Sequence, residues 1–546
     1  MKTVYSQFMR LCPVATLLFI LTFVICGCSQ EDSVAKEITI AQGTSPSTVD
    51  PQMAVDEVSS SVLAYSMGGL YKYDADGKLV PCLAESYEVS DDGCTYTFHL
   101  KEGLKWSDGR PLSAEDFVFA FKRVADPDMG SNGIYLITDN SMVKNAREVN
   151  SGELPVSELG VSAPDNRTFV VELEEPCPYF CSLISKTNFA PCNEDFYHSV
   201  GERYASSADT LLYSGPYIMD RYEPLAKQIH FTANPYYVDA DTIDVKGVTL
   251  QVVANTQQAV MCYEAGDVDI ASIGGEYTEL AEGDPELSVF SKASVTYIAE
   301  NSQTCPALQN RNIRMGLSNS IDRDSINGKL LGIGFSSMTR VIPPNFCRET
   351  DGSDFAGDSG YYKDYCSYDP AKAREFWEKG LEELGVKEVA LRITYASGSG
   401  SVAEAMAAQM RAALPGLDLE LQPVPFKDLL QRKSAEDYDL MLMGWVADYV
   451  DPTSFLGLFI ESGDFGYCNP EYDDLYNTLQ STRYALDPEA RNELMHKAED
   501  ILMEDVAVIP IYTNGSAYLI HTGVEGYTLT PVGDSCVVSR LRKGAE

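Results

Sequence analysis

Histidine is scarce in this chain and basic charge is thin. The five histidines are scattered over 546 residues, so a histidine-built metal site is not expected. No cysteine spacing makes a zinc knuckle either. Lys and Arg total 41 against 81 Asp and Glu, a formal charge of -40. A surface of that sign does not select nucleic acid, which needs basic patches, and does not adhere to anionic lipid. Its plain reading is solubility. Gly-x-Ser-x-Gly and His-Glu-x-x-His are both missing, and no Cys–His context fits a nucleophile, so no enzyme activity and no cofactor are expected. Ser397-Gly398-Ser399-Gly400-Ser401 lacks the Lys-Ser/Thr ending of a phosphate loop and is expected to be a flexible connector. No apolar run of spanning length follows the N-terminus.

What is present begins with a targeting segment. Lys2 and Arg10 precede an apolar stretch at 11–25 that is short for a spanning helix. It ends in Ile25-Cys26-Gly27-Cys28 and gives way to Ser29-Gln30-Glu31-Asp32. An aliphatic residue three before a cysteine, with a small residue just before it, resembles a bacterial lipoprotein signal. That resemblance implies a signal at 1–27, cleavage before Cys28, lipid (palmitate included) on its sulfur, and a tether over 28–36. An ordinary secretion signal or a membrane anchor is the alternative. Of 14 cysteines, Cys12 and Cys26 leave with the signal and Cys28 carries lipid. The remainder is odd, so at least one is unpaired. Neighbouring candidates are Cys177 with Cys181 or Cys192, Cys82 with Cys94, and Cys347 with Cys366. Spacing does not decide among them, and an anaerobic source would leave thiols.

Residues 69–121 read as one folding unit. Asp76-Gly77 and Asp91-Asp92-Gly93 mark turns. Tyr96, Phe98 and Leu100 alternate with polar residues as a half-buried strand. Ser107-Asp108-Gly109 turns again after Trp106, and Ser113 with Asp116 opens a helix by a capping box. Pro81 to Glu85, Ser90 to Gly93, Tyr96 to Leu100, Lys105-Trp106-Ser107-Asp108-Gly109 and Ala114-Glu115-Asp116 together resemble the oligopeptide and dipeptide solute-binding proteins of bacterial ABC importers (family 5). Thr48-Val49-Asp50-Pro51, Ser214-Gly215-Pro216-Tyr217 and a helix over 313–323 extend the resemblance, with Gly316 and Asn319 departing from alanine. Gly316 is expected to weaken that helix, since interior Gly costs about 1 kcal/mol. Farther on, Asp369-Pro370, Asn469-Pro470 and Asp487-Pro488 read as helix starts. Strands at 391–395 and 417–421 around a helix at 402–414 form a βαβ unit.

The resemblance implies an α/β, two-lobed periplasmic-binding-protein-like fold of type II, with an extra inserted α/β domain in the first lobe. Lobe I is expected at 37–63, 205–295 and 510–546, the insert at 64–204 and lobe II at 296–509. Residues 55–58 are a candidate lining.

The ligand chemistry concentrates at 438–456. A short apolar strand over 439–443 ends at Gly444-Trp445, and Ala447-Asp448-Tyr449 turns toward Asp451-Pro452. Glycine admits a ligand backbone, a strand edge pairs with an extended peptide, tryptophan walls a side chain, and a carboxylate holds an ammonium. By residue type alone, Asp448 reads as a turn residue beside Asp451-Pro452 and Trp445 as a core tryptophan. In the family the matching stretch is Trp-x-Ala-Asp-Tyr. This implies that Asp448 takes the peptide α-ammonium and that Gly444, Trp445 and Val446 supply main-chain bonds. The expected protein is a monomeric, lipid-anchored receptor on the outer face of the bacterial membrane. It would deliver short peptides to a permease with ATPase subunits. The same fold holding a metal complex, haem, sugar or signalling peptide is the runner-up, and a surface hydrolase comes behind it.

Overall fold

The computed structural model describes residues 36–544, apart from 75–76, 224–226, 358–361, 462, 464, 468, 482–484, 531 and 533–536. The expected signal, Cys28, Asp76, Cys468 and Cys536 lie outside the described residues. From Glu37 onward the chain forms one compact unit.

Two mixed sheets dominate it. The first has seven strands in the order Leu287–Ser291, Gly515–Ile520, Ile270–Ile273, Glu37–Gln42, Gly247–Val252, Gln228–Ala233 and Tyr217–Arg221. The second has six, in the order Ser336–Ser337, Val508–Thr513, Ser294–Glu300, Leu440–Val446, Val389–Ala396 and Leu417–Val424. The chain passes from the first sheet to the second through Lys292-Ala293 and returns through Asn514. The two crossings are tied together: Lys292 N–H donates to the Asn514 carbonyl (3.1 Å), and Asn514 N–H donates to Ser294 Oγ (3.0 Å). Two short parallel connections of this kind form a hinge between lobes. Gly515 follows directly, and a Cβ there would lie 1.9 Å from the Gly334 carbonyl oxygen. Only glycine fits at that return.

A smaller antiparallel sheet carries Ala84–Val89, Thr95–Leu100, Thr168–Glu172 and Val161–Asp165. Thr95–Leu100 buries alternate residues, as its pattern demands. The helix Ala114–Ala125 covers this sheet, with the Phe117 and Phe121 rings tilted against the Phe169 ring at 5.7 and 5.4 Å. The Trp-Ser-Asp-Gly and Ala-Glu-Asp signatures meet here. The Asp116 carboxylate accepts Ser113 N–H (2.8 Å), the Trp106 indole N–H (3.3 Å) and the Asn193 amide (2.8 Å). One carboxylate thus closes the capping box and fixes the buried tryptophan. Asp50 works the same way, taking the buried Arg123 guanidinium at 2.7 Å from the far end of that helix.

The proline-marked helix starts are all present. Asp369, Asn469 and Asp487 cap Pro370–Leu384, Pro470–Gln480 and Pro488–Glu504 by accepting backbone N–H groups. Three expectations change. Ser397–Ser399 is a 3-10 turn and the helix Gly400–Ala413 starts at once, so the serine-glycine run is structured rather than a loose connector. Gly316 marks a close approach: a Cβ there would lie 3.1 Å from Trp377 Cβ and 3.2 Å from the Ala373 carbonyl, so the helix Arg311–Asn319 trades propensity for packing against Pro370–Leu384. The strand expected to stop at Gly444-Trp445 continues to Val446, because its ladder to Ser294–Glu300 runs to the pair Ser294–Val446. None of the candidate disulfides forms; all nine described cysteines are free thiols.

Glu300 ends a central strand of the second sheet. Its side chain is 1% exposed, and its nearest cation is Arg314 at 3.4 Å. Neither carboxyl oxygen makes a hydrogen bond among the described residues. Burial outweighs Arg314 and raises its pKa to about 8. The folded chain therefore holds a proton that the unfolded chain releases near pH 4.5, and stability falls as pH rises from about 4.5 to about 8. Glu300→Gln is expected to remove that decline. In urea titrations the variant should gain on the wild type across this window, by an amount on the order of a few kcal/mol. Parallel curves would contradict the assignment.

Candidate functional site

The strands Val389–Ala396, Leu417–Val424 and Leu440–Val446 run parallel, so their carboxyl ends meet on one side of the second sheet. That is where open α/β sheets hold ligands. Leu440–Val446 pairs along its full length with Ser294–Glu300, but on its other side only Leu440, Met441 and Leu442 have partners. Residues 443–446 project past the end of Val389–Ala396 and have no strand partner on that side among the described residues. Gly444 and Val446 are exposed there. This is a short open ladder edge of the kind an extended peptide completes. Trp445, half-buried between them, packs on the second lobe's core. Among the described residues its buried indole N–H has no acceptor. Phe426, 59% exposed, follows the end of Leu417–Val424 on the same side. Sequence reading passed over it, although a phenylalanine opening the helix Phe426–Ser434 just after a strand end was a usable signal.

Asp448 sits two residues beyond the strand, and its N–H is fixed by donation to Ser454 Oγ (3.0 Å). Its carboxylate is 12% exposed and already has a cation: Lys186 Nζ lies 3.0 Å from Oδ1. The Tyr135 hydroxyl stands 3.4 and 3.5 Å from the two carboxylate oxygens. Lys186 and Tyr135 come from the small-sheet body, hundreds of residues earlier, and no local pattern announced them.

Around this carboxylate the lobes interlock. Tyr449 enters the core about the small sheet and stacks on Tyr179, with centroids 3.9 Å apart and planes 6° off parallel. Val450 N–H donates to Ser182 Oγ (2.8 Å). Arg491 then locks the end of the segment, with its two terminal nitrogens 2.6 and 2.9 Å from the Asp451 carboxylate oxygens. Burial works against the Arg491 charge, and Asp451 more than restores it, holding the guanidinium above its usual range. The structure thus gathers Gly444, Trp445, Val446 and Asp448 on one continuous segment at the lobe junction. In the candidate lining 55–58, Val55 is exposed, while Asp56 caps the helix Glu57–Ala64. Glu57 pairs with the hinge residue Lys292. Among the described residues no cluster of His, Cys, Asp and Glu could hold a metal ion.

A molecule so built falls in the class of the two-lobed, type II extracytoplasmic solute-binding proteins. The chain belongs to the bacterial extracellular solute-binding proteins, family 5, matching the family over residues 78–467. It is 30% identical to a dipeptide-binding protein of Lactococcus lactis, over 96% of this chain and 97% of that one. Among solved structures it resembles Listeria monocytogenes OppA bound to peptide, with TM-score 0.76 and 29% identity over 94% of this chain and all of that one. Haemophilus influenzae OppA in complex with the peptide RPPGFSPFR gives TM-score 0.76 and 29% identity, over 94% and 99% of the chains. The family consists of solute receptors rather than enzymes. Among the described residues no helix is long and apolar enough to cross a membrane.

Proposed function

We propose that this chain is the extracytoplasmic receptor of an ABC importer, tethered by lipid on Cys28. It captures short peptides between its lobes and passes them to the permease and ATPase subunits. The observation that carries this reading is an open ladder edge ending two residues before a largely buried carboxylate. Residues 444–446 pair with the peptide backbone whatever its side chains, Trp445 walls one side-chain pocket, and Asp448 receives the α-ammonium. In this reading lobe I, insert and lobe II follow one another as expected, with the lobe crossings taken at residues 292–293 and at Asn514 rather than at 295–296 and 509–510.

The test is to block the peptide's amino end. Calorimetry with one short peptide in free and N-acetylated forms should show the acetylated form at least about 30-fold weaker, since a desolvated charge partner is worth 2 kcal/mol or more. Equal affinities would remove Asp448 from the site and favour a non-peptide solute or a different orientation. Loss of the lipid is checked separately: Cys28→Ala should release the protein from membranes, and unchanged retention would point to an uncleaved anchor.

A further inference from the structure

A peptide receptor of this design has one carboxylate for one ammonium, and here the carboxylate is occupied from within. Lys186 follows the short helix Phe180–Leu183 on the small-sheet body, while Asp448 belongs to the second lobe. Nζ and Oδ1 are 3.0 Å apart, and the side chains are only 19% and 12% exposed. The lysine head is a primary ammonium with three donors, the same group that a peptide presents at its amino end. The flanking contacts, Ser182 to Val450 and Tyr179 on Tyr449, cross the same junction, so the pair sits inside a lobe-to-lobe seam.

We propose that Lys186 is an internal surrogate for the ligand's α-ammonium: it holds the Asp448 carboxylate and must yield it to an incoming peptide. This deepens the peptide reading and rests on the assignment of Asp448. Two consequences follow from the chemistry. A peptide with a free amino end competes with Lys186, so its affinity carries the cost of displacing a partly desolvated ion pair. A ligand without an ammonium leaves the pair intact and does not feel Lys186 at all. Lys186 is thus a specificity-setting residue that acts through Asp448, and it sets a threshold against weakly bound free-amino ligands.

Calorimetry on the purified receptor with tetra-alanine and N-acetyl-tetra-alanine tests this. Lys186→Met keeps the packing stem and removes the charge. It should tighten tetra-alanine about tenfold, the scale of one exposed-to-partly-buried charge contact, and leave the acetylated peptide unchanged. Lys186→Arg keeps the competing charge and should stay near the wild-type values. No gain for tetra-alanine in Lys186→Met, with Asp448→Asn still erasing the preference for the free amino end, overturns the surrogate while sparing the Asp448 assignment. A preference that survives Asp448→Asn overturns both. An equal change for both peptides in Lys186→Met marks the residue as a structural support and overturns the proposal as well.

Discussion

Asp448→Ala should cost this receptor about 30- to 5,000-fold in affinity for a peptide with a free amino end, the equivalent of 2–5 kcal/mol for losing one partner of a desolvated charge pair. The structure adds a reason to expect the upper part of that range. Lys186 is held 3.0 Å from the carboxylate and is mostly buried. Removing the carboxylate leaves its ammonium facing the place where the peptide ammonium must lie, so attraction is replaced by like-charge repulsion. The double variant with Lys186→Met should therefore regain part of the loss. The local backbone should hold, because the N–H at position 448 still donates to Ser454 Oγ, while the lost partner of Lys186 costs some stability. Calorimetry on the single and double variants measures both effects. Wild-type affinity in Asp448→Ala would refute the role.

The largest effect on stability is expected at Arg491. Its guanidinium and the Asp451 carboxylate are 5% and 11% exposed and make a bidentate pair. Asp451 also accepts Thr453 N–H at 3.0 Å. Arg491→Met orphans a buried carboxylate, a change worth about 3–5 kcal/mol. It should appear as a large drop in the urea midpoint at unchanged slope. Asp451→Asn combined with Arg491→Met should recover much of the loss, because the cost lies in the unpaired charge rather than in the missing attraction. The pair also pins residues 449–452 behind the peptide clamp, so peptide affinity should fall with stability. An unmoved midpoint would show that the carboxylate finds another partner or a proton without strain.

Features written in local chemistry were legible in the sequence. Asp369, Asn469 and Asp487 announce helices because a capping side chain and a first-turn proline satisfy one local geometry. Trp106 and Asp116 were legible as a motif, and their bond ties the two signatures to each other in the fold. Gly444 through Asp448 were read as a clamp only through the family resemblance, because by residue type alone Asp448 suits a turn and Trp445 a core. Lys186 could not be read at all, since only the closure of two lobes brings it to Asp448 across 262 positions. Gly316 shows a related limit: propensity counts the helix alone, while its close approach to Trp377 belongs to another helix. The same limit explains the strand end at Val446, which is set by its partner Ser294 rather than by Gly444.

Mass spectrometry of the ligands that co-purify with the 29–546 fragment tests the central claim most directly. The account predicts a population of short peptides with unmodified amino ends and varied side chains, because the backbone edge and Asp448 select the main chain and its terminus. A single non-peptide solute, or peptides whose amino ends are blocked, would contradict it.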